Sequence, residues 1–169
     1  MINALSGAVI DYRNPQNSVF TLEDIAAGLS NECRFAGQLD KFYSVAQHSI
    51  LVLALAPREL AIHALMHDAS EAFMKDIPKP LKNMLPDYEK IEEDLSSAIM
   101  DHFKINMIGS EMIHFYDQEA LEIEFDAFRK NKPMRFEQKM RSLNYLPGRW
   151  TPEMAKYNWL YQIKLLIKK

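Results

Sequence analysis

The chain has one cysteine, five glycines and two tryptophans in 169 residues. A lone cysteine, Cys33, excludes an intrachain disulfide and fits a reducing compartment. With so few glycines there is no Gly-rich phosphate cradle and no Walker pattern, which argues against ATP-driven chemistry. No apolar run reaches the roughly 18 residues of a membrane span; the longest, Ser49 to Pro57, stops well short. The opening residues lack a basic stretch followed by an apolar one, so no signal peptide is expected. These absences together predict a cytoplasmic protein with no membrane partner. Low-complexity tracts, internal repeats and Pro/Gly-rich linkers are missing too, and the length suits a single domain over residues 1–169.

What is present is a compact-protein composition: 48% hydrophobic and 25% charged, with a net charge of −3. The charge is unevenly spread. Residues 129–169 carry 11 Lys/Arg against 2 Asp/Glu (+9), whereas residues 1–128 carry 9 against 21 (−12). A basic end attracts anions, yet Trp150, Trp159, Leu160, Tyr161 and Leu165 to Ile167 read as packing residues, so the tail is expected to lie on the acidic body or on a neighbouring subunit. No nucleic-acid-binding module is visible.

The apolar spacing predicts helices throughout. Thr21 caps a helix over Leu22–Ser30, with Glu23 and Asp24 at its positive end. A loop runs from Cys33 to Lys41, and Tyr43–Ala56 reads as a buried helix. Pro57 suits the first turn of the next helix, which runs to Phe73. A short helix is expected around Leu81–Leu85, and an amphipathic one over Asp87–Phe103 with Tyr88, Ile91, Leu95, Ile99 and Phe103 on one side. Ser110 is expected to cap a helix to Phe128, and Thr151–Pro152–Glu153 begins the last. The stretch before Phe20 is expected to supply one short hairpin. Seven helical segments give an all-α fold.

Polar residues interrupt the apolar helices at telling places. His67–Asp68 follows Ala64–Leu65–Met66, and Glu71 lies one turn on, facing the same side. His48 sits in the preceding apolar helix, nine residues before Pro57, with His67 ten after it. Antiparallel packing across that turn sets the two imidazoles at a similar height. Asp117 on the Ser110–Phe128 helix approaches from a third side. Such a mixed nitrogen and oxygen set suits Zn, Mn, Fe or Co. Glu124, two turns beyond Asp117, is placed to support it. His63 and His114 are expected to be satisfied core histidines, and His102 to sit at a helix C-terminus. The Glu89, Glu92, Glu93, Asp94 cluster reads as a solvated face.

His48, His67–Asp68 and Asp117 together resemble the H…HD…D signature of the HD-domain metal-dependent phosphohydrolases. The wording around them, Arg34–Phe35 ahead of His48 and Lys75–Asp76–Ile77–Pro78–Lys79–Pro80–Leu81–Lys82 after Glu71, is similar to the small bacterial 5′-deoxynucleotidases and the phage-encoded dATP triphosphohydrolases. The resemblance covers residues 20–128. It implies an HD-domain helical bundle with a divalent metal (Zn, Co, Mn or Mg) on His48, His67, Asp68 and Asp117. It makes Glu71 and Asp68 catalytic, sets Arg34 on phosphate, and puts Phe35 and Asp76 against sugar or base. Phe35 stands where the deoxynucleotidases usually carry Trp, and Gln38 where many relatives carry His. The implied activity is cleavage of the 5′-phosphate ester of a deoxynucleotide by a homo-oligomer. Lys75, Lys79 and Lys82 favour a triphosphate such as dATP over a monophosphate. A nucleotide phosphodiesterase, a non-catalytic nucleotide-binding HD module and a basic-tail nucleic-acid binder are the competing readings.

Overall fold

The computed structural model describes residues 1–106, 110–145 and 148–167. Among them are eight helices and one small hairpin. The hairpin pairs β1 (Ile2–Asn3) with β2 (Val9–Ile10) antiparallel, in the opening stretch where one is expected. The helices are α1 (Leu22–Asn31), α2 (Val45–Leu55), α3 (Ala61–Met66), α4 (Lys79–Lys82), α5 (Pro86–His102), α6 (Ile113–Phe128), α7 (Met134–Ser142) and α8 (Pro152–Ile167). None is long and apolar enough to cross a membrane.

The centre of the molecule is α2. Ser44 starts it by accepting a hydrogen bond from the Gln47 amide at 3.2 Å. Val45 to Val52 are all buried, because the sequence is apolar around the whole helix and five others pack on it: α1, α3, α6, α7 and α8. Its three buried polar side chains have partners, as burial demands. Gln47 donates to the Gly148 carbonyl at 2.7 Å and accepts from the Trp150 amide at 3.0 Å. Ser49 donates to the Val45 carbonyl. His48 is held at the candidate site.

The basic C-terminal segment folds onto the body. Trp159 is fully buried and donates to the Leu65 carbonyl, and α8 lies along α1, with Lys164 3.5 Å from Glu23. Beneath it, α1 begins at Thr21, whose hydroxyl accepts from the Asp24 amide at 3.0 Å. At Gly28 this helix meets the 3₁₀ turn Ala69–Ala72 so closely that an added Cβ would stand 2.2 Å from the Ala72 carbonyl oxygen. Only glycine permits that approach.

Three elements differ from the spacing-based expectation. The single helix expected from Pro57 to Phe73 is a 3₁₀ turn (Arg58–Leu60), then α3, then the turn at Ala69–Ala72. It breaks at His67, whose ring bonds the Ala64 carbonyl and so competes with the helix's own ladder. The short helix near Leu81–Leu85 forms earlier, at Lys79–Lys82, where Pro80 occupies the first turn. The periodicity reading omits α7: only Phe136 and Met140 of its nine residues are buried. Phe136 stacks edge-on against Tyr43 and Phe128. The Ser110 side chain, expected to cap α6, lies outside the described residues; a 3₁₀ turn (Ser110–Met112) precedes that helix.

Candidate metal centre

The backbone sets Arg34 beside the start of α2. Cys33 and Ser44 form an antiparallel bridge, and the Arg34 amide donates to the Tyr43 carbonyl at 2.9 Å. Helix α2 contributes His48 from one side, the broken end of α3 contributes His67 and Asp68, and α6 contributes Asp117 and Glu124. The His48 and His67 rings lie with centroids 5.3 Å apart.

Each imidazole is oriented by its Nδ1. His48 Nδ1 stands 2.6 Å from Glu124 Oε1, and His67 Nδ1 stands 2.9 Å from the Ala64 carbonyl oxygen. Both partners are acceptors, so each Nδ1 donates and each Nε2 faces the opposing carboxylates. These Nε2 atoms are buried and have no hydrogen-bond partner. Carboxylates surround them at ion-pair distance: Asp117 Oδ1 is 3.0 Å from His48 Nε2 and 3.9 Å from His67 Nε2. Asp68 Oδ2 lies 3.1 Å from His67 Nε2 and 3.7 Å from His48 Nε2. One ligand atom from each of His48, His67 and Asp117 falls within 4.8 Å of the others, a group that could hold a metal ion, and Asp68 borders it.

Glu124 ties this centre to Arg34. It is fully buried on α6 and accepts from the Tyr43 hydroxyl at 2.9 Å and from Arg34 at 3.2 Å, besides His48. Burial works to raise its carboxyl, but Arg34 and His48 more than offset this and hold it below the usual range. Burial and Arg34 also press His48 down; Glu124 and Asp117 outweigh them and set it at about 9. Asp117 is held low: burial opposes its ionisation, and the neighbouring His48 overrides that. The two carboxyls across the cleft behave oppositely. Burial first, then the nearby Asp68 and Asp76, push Glu71 well above the ordinary value, and burial raises Asp76 likewise.

A cleft of 430 Å³ opens above this floor. Arg34, Asp68, Glu71 and Asp117 line its base, while Phe35, Ile77 and Leu121 give it apolar walls. The Arg34 guanidinium stacks 5.7 Å from the Phe35 ring centroid, and its buried Nε has no partner. Phe35 and Ala36 both adopt left-handed backbone, with φ of 58° and 49°, ahead of Gly37 at 71°. Such conformations are costly for residues with a side chain and tend to collect at ligand sites.

Several expected residues fall elsewhere. Asp76, Lys79 and Lys82 line the cleft, but Lys75 does not. Its ammonium points to another face, 2.5 Å from Glu32, and is 72% exposed. The Tyr88 hydroxyl fixes that orientation by binding both the amide and the carbonyl of Lys75. Lys82 is engaged too, by both Glu92 oxygens at 2.8 Å. His114, expected in the core, is exposed on α6 one turn before Asp117 and borders the cleft with Gln118. His63 is half-buried, with Nε2 on the Asn106 carbonyl. His102 does occupy the last turn of α5. The sequence reading gave no role to Tyr43, whose aromatic side chain is indistinguishable from core filling until its hydroxyl meets Glu124.

No family model matches the chain. An uncharacterized Escherichia coli (strain K12) protein, YfdR, is 44% identical over 116 residues, which are 69% of this chain and 65% of that protein. An uncharacterized Rhodobacter capsulatus protein is 35% identical over 105 residues, covering 56% of this chain and 54% of its own. The chain therefore spans less than two thirds of either relative.

Proposed function

We propose that this chain is a metal-dependent phosphohydrolase of the HD-domain type, acting on the 5′-phosphate ester of a deoxynucleotide. The observation that carries the reading is the convergence of the buried Nε2 atoms of His48 and His67 on Asp117 and Asp68 at the foot of a cleft. Two imidazole nitrogens and two carboxylates converging in one pocket form a mixed donor set that a divalent cation would complete. His48, His67 and Asp117, with Asp68 beside them, would hold a divalent ion. When bound, such an ion supplies Lewis acidity and lowers the pKa of water toward neutrality.

The residues around it supply binding and proton handling. Arg34, held by Glu124, offers its guanidinium to the phosphate oxygens as negative charge builds there. Phe35 and Leu121 flank the nucleoside, and Lys79 at the rim steers the anion. Glu71, buried at the base of the cleft with Oε2 free of a hydrogen-bond partner, takes the proton of the attacking water in its ionised form. The water oxygen bonds to phosphorus as the P–O5′ bond breaks, and O5′ leaves with the electron pair and is protonated to the nucleoside hydroxyl.

Placing Lys75 outside the cleft removes one of the three cations that favour a triphosphate. Orthophosphate release from a monophosphate is thus the primary reading; tripolyphosphate release from dATP is the second, supported by Lys79 and Lys82. A side-by-side assay of dAMP, dATP and their ribose counterparts with Mn²⁺, Co²⁺ and Zn²⁺ tests both. No phosphate, pyrophosphate or tripolyphosphate from any of them ends the hydrolase reading. The exposed Tyr157, Tyr161 and Leu165 of α8 support a homo-oligomer, which light scattering would check.

A further inference from the structure

The nucleotide cleft is not the sole approach to the metal centre. Asp68, Glu71 and Lys82, which line the cleft, also line a second cavity of 340 Å³ on the α5 side. None of the apolar cleft residues Phe35, Ile77 and Leu121 belongs to it. Its other walls are polar and include Ser70, Ser96 and Ser97, and the Lys82–Glu92 ion pair borders it. Glu71 stands in the shared wall, buried, and its Oε2 has no hydrogen-bond partner. A third cavity of 240 Å³, which includes apolar Met100 and Ile113 in its lining, touches His67 and Asp117. Ser96 lines both of these rear cavities and not the cleft.

Displacement at phosphorus proceeds with the attacking and leaving oxygens roughly in line. A nucleoside seated between Phe35 and Leu121 puts the leaving O5′ on the cleft side and displaces the water there. The attacking water must then arrive from another face of the site. A polar cavity of several water volumes, opening onto the carboxyl that takes the proton, meets that need.

Resting on the phosphohydrolase reading, we propose that the cavity between Glu71 and α5 is the route by which hydrolytic water reaches the site while nucleotide fills the cleft, with Ser96 in its lining. Along this route the water oxygen attacks phosphorus from the α5 side, one of its protons passes to Glu71, and the P–O5′ bond opens toward the cleft. Substrate and water thus use separate doors.

The test narrows the rear door and leaves the front one alone. Wild-type enzyme is assayed on its best nucleotide from the panel in water and in dilute methanol, where the methyl ester of the released group (methyl phosphate from a monophosphate, methyl tripolyphosphate from a triphosphate) reports attack by the larger nucleophile. Ser96→Val and Ser96→Leu are compared with it. A graded fall in kcat is expected, tenfold or more for Leu, with KM within twofold and metal content unchanged. The ratio of methanolysis to hydrolysis should also fall, because methanol is excluded before water. Should Ser96→Leu fail to fold, Ser96→Val and Ser96→Thr carry the same comparison. Folded variants with kcat within twofold of wild type, or with an unchanged methanol ratio, overturn the proposal. An inactive wild-type chain would instead overturn the hydrolase reading, and this route with it.

Discussion

Glu124 Oε1 sits 2.6 Å from His48 Nδ1, in a pocket where neither residue is exposed to solvent. That contact orients the His48 ring, and the same carboxylate holds Arg34 and Tyr43. On the proposed function, one side chain sets both the nitrogen that would face the metal and the cation that would face the phosphate. Glu124→Gln keeps the shape but offers an amide where three donors converge. Metal affinity should drop by about 10–100-fold, and KM should rise because Arg34 loses its anchor. Calorimetric metal titration and steady-state kinetics check both; unchanged values for both would remove Glu124 from the machinery.

The lysines separate by direction. Lys75→Ala should leave KM within twofold, since its ammonium is tied to Glu32 away from the cleft. Arg34→Ala should lower kcat/KM by at least about tenfold, or about 1.4 kcal/mol. A damaging Lys75→Ala beside a silent Arg34→Ala would instead put the substrate anion on the Lys75 face.

Glu71 gives a pH signature in the metal-free protein. Its carboxyl titrates well above the ordinary value when folded, so between the two values the native state binds more protons than the unfolded one. Stability contributed by the neutral carboxyl is present at low pH and is lost as pH rises, with a slope of at most about 1.4 kcal/mol per pH unit. Glu71→Gln mimics the neutral form and abolishes this share. Urea unfolding from pH 5 to 8 should show a stability loss in the wild type that is shallower in the variant, alongside loss of turnover. Parallel pH dependences would mean Glu71 is ionised in the fold.

Gly28→Ala tests the packing that seats Glu71. An added methyl would stand 2.2 Å from the Ala72 carbonyl oxygen, and that backbone belongs to the turn carrying Glu71. The clash should destabilise the chain by about 1–3 kcal/mol and lower kcat even where the variant remains folded. Denaturant midpoints and kinetics at a permissive temperature measure the two effects.

Much of the helical layout was legible because burial is periodic: Leu95, Ile99 and the all-apolar α2 announce themselves. The reading failed where a short segment buries few residues, as in α7, or where a side chain outbids the backbone, as His67 does at the end of α3. At the site, the spacing of His48 and His67 around Pro57 was visible, since helix geometry converts residue number into height. The direction of Lys75 was not. It depends on the Tyr88 hydroxyl thirteen residues away, and on a loop conformation that no periodicity encodes.

Glu124 joins the Tyr43, Arg34 and His48 side chains through hydrogen bonds that need no ion. The candidate ligand His48 is therefore held in place by the fold whether or not an ion is bound. Chelation should leave a folded chain, and metal should act on it by mass action. At a free ion concentration of 100 times Kd, binding would add about 2.7 kcal/mol to stability. A simple thermal melt across a series of divalent ions would then rank their affinities without any substrate in hand.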